Sequence, residues 1–398
     1  MKVLLVSGEF PPMIGGIGDY TACLARALSE LGAQVTMLCS TRARSPEGAF
    51  PFPVLPLVAK WSYGSWGTVR RAVGSLRPDI VHIQYQSAAY GLHPAVNLLL
   101  LYLKLRVPGV RTFVTFHDLR APYIFPKAGP LRGWAVRSLA RWSHGVICTD
   151  ESDFRTVSRW GLHSRSYLIP IGSNIQVVGP SGDVVRGESG DGPERGESVV
   201  LGYFGLLNQT KGVEILVRAF RLLLQRGLPL TMLMVGADLG DSDPTNVAYS
   251  RKVHALAVEL GLDASIRWTG HLSPEDTSKA LHSLDLCVLP YLDGASFRRG
   301  TLMAALAHGL PIITTSPEFS PEFGPRLIDG ENCRLVPAGD VGALAQAMEE
   351  LAGGPSLRQK LAAGALELAR SFTWEEIARR TVAAYEGVLA SRGRLAVQ

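Results

Sequence analysis

The run Gly8-Glu9-Phe10-Pro11-Pro12-Met13-Ile14-Gly15-Gly16-Ile17-Gly18-Asp19-Tyr20 follows the first apolar stretch of the chain and precedes a helical one. Glycines at such a place let a backbone approach a ligand closely, and a helix start offers free N–H groups to an anion. Gly16-x-Gly18-x-x-Thr21 nearly matches a dinucleotide fingerprint but lacks the third glycine. The second apolar stretch ends at Cys39-Ser40, without the acid that grips a ribose hydroxyl, although Arg42 and Arg44 could serve a 2′-phosphate. These departures count against a dinucleotide ligand.

Three further clusters carry chemistry. Lys211 reads as lying in the first turn of a helix. A cation there opposes the helix dipole, so local structure does not explain it. Residues 127–142 hold Lys127, Arg132, Arg137 and Arg141 with Leu131, Trp134 and Trp142, and no acid. Basic and aromatic residues at helical spacing suit a helix lying on an anionic membrane surface, and equally a helix packed on its own domain. Asp241-Ser242-Asp243 has the form of a metal-binding Asp-x-Asp, but two acids one residue apart arise often by chance and these sit among Gly, Ser and Pro. No other metal cluster presents itself, so no metal and no cofactor are expected.

The elements that must position these groups follow from the apolar pattern. At 398 residues the chain exceeds what one core usually serves, and two domains are expected. Apolar residues are 46% and charged residues 19%, a globular composition. Short β-rich runs at 3–7, 34–39, 79–84, 112–117, 145–149 and 167–171 alternate with helical stretches such as 19–31. Residues 179–198 then turn to Gly, Ser, Pro, Asp, Glu and Arg, which reads as a flexible linker or loop. Alternation resumes with runs at 199–205, 231–235, 265–269, 286–290, 312–315 and 333–336, with helices at 213–224 and 341–351 and a last one at 374–390. This predicts an α/β chain of two doubly wound, Rossmann-like domains, 1–178 and 199–370, followed by a C-terminal segment 371–398. Ligands of such sheets bind at the carboxyl ends of the strands.

Charge is uneven, +10 over residues 1–175 and −5 over the rest. A basic first half is either an ordinary surface or one that meets an anionic partner. The five cysteines, Cys23, Cys39, Cys148, Cys287 and Cys333, are scattered and odd in number, which suits a reducing compartment. The N-terminus carries one positive charge and no long apolar core, so a first strand is expected rather than a signal peptide. The most apolar run, 98–103, is far short of the ~20 residues of a membrane span. A cytoplasmic protein, peripheral on the membrane if residues 127–142 bind it, is the expectation.

The order of motifs is specific. Pro11-Pro12 followed by Gly15-Gly16-Ile17-Gly18-Asp19-Tyr20 resembles the opening of glycosyltransferase family 4, the retaining GT-B enzymes. In matching order come Asp79-Ile80-Val81-His82-Ile83-Gln84-Tyr85, Val114-Thr115-Phe116-His117-Asp118 and Ile169-Pro170-Ile171-Gly172. Further along are Gly205-Leu206-Leu207-Asn208-Gln209-Thr210-Lys211-Gly212, Val235-Gly236, Thr269-Gly270-His271 and Ala305-Leu306-Ala307-His308-Gly309-Leu310-Pro311. The resemblance covers nearly the whole chain. It implies two Rossmann-like domains facing each other across a cleft, the first on the acceptor side and the second binding a nucleotide-sugar donor. The last helix would cross back to the first domain. It also implies retaining, metal-independent transfer to a glycan or lipid-linked acceptor, with no nucleic-acid partner.

Residue by residue, the resemblance gives Lys211 to the donor diphosphate, where a cation stabilises the leaving group as charge builds. His117 would face the donor sugar as a neutral imidazole. Gly16, Ile17, Gly18 and Asp19 would place backbone N–H groups near the donor, with Gly205, Asn208, Gly270, His271, Gly300, Thr301 and Leu302 completing the donor site. There is one departure. Many relatives carry two glutamates with seven residues between them, and alignment on Ala307-His308-Gly309-Leu310-Pro311 puts Ser296 and Ala304 there, with Asp293 three residues too early. The arginine before the Lys-Gly pair is also replaced, by Leu206. Arg298 and Arg299 are the candidates to compensate, since a guanidinium suits a diphosphate. The missing glutamates count against a sugar-nucleotide 2-epimerase, which needs several acid–base carboxylates. They leave open a catalytically silent member that serves as a binding or scaffold partner.

Overall fold

The structure, a computed structural model, describes residues 1–398 apart from 14, 47, 120–129, 180–197, 237–243, 319–323 and 396–398; for 130–132, 244–246 and 391–395 the backbone alone is described. Most of the expected linker, Lys127 and the Asp241-Ser242-Asp243 run lie outside the described residues, as do the side chains of Leu131 and Arg132. The chain divides into two compact units, Met1–Asn174 with Thr373–Gln398, and Ile175–Phe372.

The first unit is built on β1 (Lys2–Ser7), β2 (Gln34–Ser40), β3 (Val54–Val58), β4 (Ile80–Tyr85), β5 (Arg111–Phe116), β6 (Gly145–Cys148) and β7 (Ser166–Leu168). They form one sheet in the order β3-β2-β1-β4-β5-β6-β7, and every pairing is parallel. Strands buried on both faces read as continuous apolar runs, and those runs made β1, β4 and β5 visible in the sequence. β3 was not foreseen. Its Val-Leu-Pro-Leu-Val run carries Pro56, which cannot donate to a ladder, and the strand accordingly lies at the sheet edge. Around the sheet lie α1 (Gly16–Glu30), α2 (Ser65–Leu76), α3 (Ala95–Arg106), α4 (Pro130–Trp142) and α5 (Glu151–Val157). The core gathers Leu4, Val6, Ile83, Val114 and Phe116 from the strands and Leu99, Leu103, Val136 and Leu139 from α3 and α4.

The second unit repeats the plan. Strands β8 (Val199–Phe204), β9 (Leu230–Val235), β10 (Ile266–Trp268), β11 (Leu286–Leu289), β12 (Ile312–Thr315) and β13 (Arg334–Val336) form a parallel sheet in the order β10-β9-β8-β11-β12-β13. Helices α6 (Val213–Gln225), α7 (Pro244–Glu259), α8 (Pro274–His282), α9 (Gly300–Ala307), α10 (Val341–Gly353) and α11 (Pro355–Ala369) accompany it. The last helix, α12 (Trp374–Leu395), belongs to the first unit, where the Trp374 indole N–H donates to Ser173 O at 2.7 Å and the Arg380 guanidinium donates to Leu168 O.

Strand order reverses beside β1 in one sheet and beside β8 in the other. A doubly wound sheet opens its ligand crevice at that switch, outside the carboxyl ends of the strands. The segments after β1, β4 and β5, and after β8 and β11, are where the sequence motifs fall. No helix among the described residues is long and apolar enough to cross a membrane.

Close packing under the first sheet is tested at Gly145 on β6, where a Cβ would collide with the fully buried ring of Phe113. Gly145→Ala is expected to destabilise the first unit by about 1–3 kcal/mol, since a well-packed core has no room for an added methyl. A lowered denaturant midpoint at unchanged slope checks it.

Candidate functional site

In the second unit the chain leaves β8 at Gly205 with φ +140, a conformation suited to glycine. A Cβ there would stand 2.9 Å from Thr301 Cγ2 and 3.7 Å from Lys211 Nζ, so the backbone is in close contact with both side chains. A short 3-10 turn, Gln209–Lys211, follows, with Asn208 before it accepting from Thr210 Oγ1 at 2.9 Å. The expectation that Lys211 stands in the first turn of a helix is corrected here. Gly212, at φ +67, separates the turn from α6, and a Cβ on it would collide with Pro290 O. Lys211 is thereby freed from the axis of α6, and its ammonium donates to Thr301 Oγ1 at 3.3 Å.

Thr301 lies in the first turn of α9, whose leading residues Gly300, Thr301 and Leu302 carry N–H groups without intrahelical acceptors. Its hydroxyl is 2.6 Å from the Tyr291 hydroxyl. Tyr291, just past β11 and fully buried, receives two cations over its ring: Lys211 Nζ at 5.3 Å and the Arg299 guanidinium at 4.9 Å from the centroid. Arg299 also forms an ion pair with Asp293, and its Nε is buried without a hydrogen-bond partner among the described residues. The cluster thus holds two positive charges and one negative. Burial first, and then the neighbouring Arg299 charge, bring the Lys211 ammonium down to a pKa of about 8, with Asp293 acting in the opposite sense.

Of the residues expected in this site, the structure brings Gly205, Lys211, Arg299, Gly300 and Thr301 together. Gly270 bridges to Gly236, which packs against Gly205 O. Leu302 contributes only backbone, its side chain being fully buried, and Arg298 and His271 are exposed. Ala304, where relatives hold a glutamate, is fully buried inside α9. Tyr291 was missed: it looked like any core aromatic, and its only sequence signal is its place just after a predicted strand.

In the first unit α1 begins at Gly16, three residues earlier than its apolar pattern indicated. Gly16, Ile17, Gly18 and Asp19 are therefore its first turn, with Gly15 extended before them and no side chain capping the end. The Glu9 carboxylate lies against Gly15, since a Cβ on Gly15 would collide with Glu9 Oε2. Desolvation raises Asp19 to a pKa of about 6, and Glu9 is raised by desolvation and then by the Asp19 charge. His117 follows β5. Its Nε2 is 3.0 Å from Gln84 Oε1, its backbone N–H donates to Tyr85 O at 3.0 Å, and its ring meets Tyr20 edge-on at 4.5 Å. Burial depresses its pKa to about 3, so the imidazole is neutral at physiological pH.

Helix α4 divides its faces. Ala135, Val136, Leu139 and Ala140 are buried in the core, whereas Trp134 is 57% exposed and Arg137 and Arg141 face solvent. Among the described residues no group of three or more His, Cys, Asp or Glu is arranged to hold a metal.

Two all-parallel doubly wound units, each with a polar cluster at its switch point, define the GT-B class of glycosyltransferases. Residues 14–177 match the model of Glycosyltransferase Family 4 and residues 198–353 that of Glycosyl transferases group 1. The chain belongs to this family and is a glycosyltransferase. It is 26% identical to a phosphatidyl-myo-inositol mannosyltransferase of Mycobacterium leprae, over 96% of each chain. It is also 26% identical to a glycogen synthase of Mycobacterium tuberculosis, over 99% of this chain and 96% of that one. Among solved structures it is similar to sucrose-phosphate synthase from Thermosynechococcus elongatus (TM-score 0.72, 20% identity, 98% of this chain and 100% of that one). Anabaena HepE in complex with UDP and glucose is similar as well (TM-score 0.71, 17% identity, 97% and 100%).

The depressed Lys211 pKa sets a pH dependence. The cation is present below about 8 and lost as pH rises through that value. A diphosphate held by this cation is therefore expected to bind more weakly across that range, and Lys211→Arg, whose guanidinium stays charged, to flatten the fall. Calorimetric titration of inorganic pyrophosphate against pH checks this.

Proposed function

We propose that this glycosyltransferase takes its sugar from a nucleotide-sugar, without a metal ion, and transfers it with retention of anomeric configuration to a glycan or lipid-linked acceptor. The observation that carries the reading is the paired cations Lys211 and Arg299 on Tyr291, beside the open first turn of α9. Such a set suits a diphosphate. When the bond from the anomeric carbon to the phosphate oxygen breaks, its electron pair goes to the leaving nucleoside diphosphate. Lys211, Arg299 and the amides of Gly300, Thr301 and Leu302 are there to meet that charge, and preorganised donors of this kind supply the largest share of such catalysis. The acceptor hydroxyl then attacks from the same face, and its proton passes to the departing diphosphate oxygen. Arg299 is the guanidinium that replaces the family arginine, and exposed Arg298 is not needed. In the first unit the neutral His117 contacts the sugar, with the first turn of α1 beside it.

The relatives support the acceptor class: by name they include phosphatidyl-myo-inositol mannosyltransferases and D-inositol 3-phosphate glycosyltransferases. A structural neighbour binds UDP-glucose, which supports a nucleotide-sugar donor. The outer face of α4, with Trp134, Arg137 and Arg141, suits peripheral attachment to an anionic bilayer on the cytoplasmic side.

The test is a thermal-shift screen against UDP, GDP, ADP and dTDP and their common sugars, with and without EDTA. One nucleotide series is expected to raise the melting temperature equally in both, since a ligand at 100 times its Kd stabilises the native state by about 2.7 kcal/mol. No shift with any nucleotide at millimolar levels overturns the reading. Arg299→Ala is expected to lose about 1–3 kcal/mol of that binding and Arg298→Ala almost none. Proton NMR of the first product reads the anomer, and an inverted one removes the retaining assignment. Flotation with liposomes is expected only when anionic lipid is present, and Trp134→Ala with Arg137→Ala should weaken it.

A further inference from the structure

Beneath His117 runs a chain of buried polar groups that the reaction as described does not use. Tyr385 on α12 has its hydroxyl 2.5 Å from His82 Nδ1. His82 Nε2 is 2.7 Å from Thr115 Oγ1 and 3.5 Å from Gln84 Nε2. Gln84 Oε1 completes the chain at 3.0 Å from His117 Nε2. His82 and Gln84 stand two residues apart on β4, and Gln84 pairs in register with Thr115 on β5. His82, Gln84, Thr115 and Tyr385 are all inaccessible to solvent.

The orientation of the Gln84 amide, its nitrogen toward His82 and its oxygen toward His117, orders this chain. Desolvation holds both imidazoles far below their usual pKa, at about 3, so each ring carries one N–H. An amide nitrogen only donates and an amide oxygen only accepts. With the Gln84 NH2 toward His82, the single His82 Nε2 lone pair accepts from the Thr115 hydroxyl at 2.7 Å and is shared, more weakly, by the Gln84 amide N–H at 3.5 Å. The His82 proton then sits on Nδ1 and is donated to the Tyr385 hydroxyl. The same amide turns its oxygen to His117, which must donate from Nε2. Every link points one way, and the ring of His117 keeps a lone pair on Nδ1.

We propose that Gln84 is a positioning residue: through His82 and Tyr385 it fixes His117 in the Nε2–H tautomer, so that His117 offers the substrate a hydrogen-bond acceptor at Nδ1. A sugar or acceptor hydroxyl donates to that atom, and the imidazole does not donate to the substrate. This rests on the reading that His117 contacts the sugar. Among the described residues no other hydrogen bond to the ring sets the tautomer: the edge contact with Tyr20 orients the plane and takes no proton. Without the chain, the two neutral tautomers lie close in energy and the ring is divided between them.

The experiment uses the full chain labelled with 15N-histidine, with His117 assigned by loss of its signals in His117→Asn. The wild-type spectrum is expected to show His117 protonated at Nε2 and His82 at Nδ1. Tyr385→Phe removes the acceptor of the His82 proton. His82 then shifts toward its other tautomer, the Gln84 amide turns, and His117 follows toward Nδ1–H. Gln84→Met frees His117 altogether and is expected to lower kcat by about tenfold to a hundredfold with KM nearly unchanged. Turnover is read as UDP or GDP release from UDP-glucose and GDP-mannose in the presence of acceptor. Gln84→Glu, which keeps an acceptor at the same place, is expected to retain the Nε2–H signal. A wild-type His117 protonated at Nδ1, or a tautomer indifferent to Tyr385→Phe, overturns the proposal. If His117→Asn turns over as fast as wild type while the tautomers behave as expected, the sugar-contact reading fails instead. Tyr385→Phe conserves the shape of its side chain and so supplies the test even if Gln84→Met does not fold.

Discussion

A positive charge in the turn beyond β8 has to be largely withdrawn from water and still stay charged. That requirement organises the second unit. Taking the Lys211 ammonium from an ordinary pKa to about 8 corresponds to about 3 kcal/mol against its charged form. The surroundings offset part of this with groups that leave the charge available. Thr301 accepts a hydrogen bond, the Tyr291 ring offers its face, and Asp293 contributes at a distance while paired with Arg299. A carboxylate bonded directly to Lys211 would have neutralised it and closed the place to an anionic ligand. Gly205 and Gly212 are consequences of the same need: one lets the backbone lie close to Lys211 and Thr301, the other turns the lysine off α6.

The first unit solves the opposite problem. His117 must stay neutral, and burial achieves that; what remains to be fixed is where its single proton sits. A hydrogen-bonded chain through Gln84 and His82 is built from strand neighbours and one residue of α12. Buried networks of this type are costly when incomplete and specify one arrangement when satisfied. The two units therefore use low dielectric in contrary ways, one to sharpen a charge and the other to suppress one.

Much of this was legible in the chain itself. Continuous apolar runs announced the parallel strands because both faces of each sheet are covered, whereas Pro56 concealed an edge strand. Lys211 and His117 stood in motifs whose order is distinctive, whereas Thr301 lies in the stretch that departs from the family pattern. Tyr291 carried no such signal, because nothing about a buried tyrosine tells which cations will lie over it until β8, β11 and α9 are in place. Gln84 and His82 were within a recognised stretch, yet their partnership with Tyr385 spans about three hundred residues of sequence and has no local signature. The choice between Arg298 and Arg299 was likewise tertiary: one side chain turns inward over Tyr291 and the other stays in solvent.

Helix α12 has a consequence for biosynthesis. All seven strands of the first sheet are encoded before residue 175, so that sheet has its whole ladder as soon as those residues leave the ribosome. The helix that supplies Tyr385 to His82 and Trp374 to Tyr20 is made about two hundred residues later, after the entire second unit. During translation, then, the second unit can be complete while the first still has an unpaired polar chain and an uncovered α1. A chain cut at residue 373 has every strand of both sheets but leaves His82 without its Tyr385 partner and Tyr20 without Trp374.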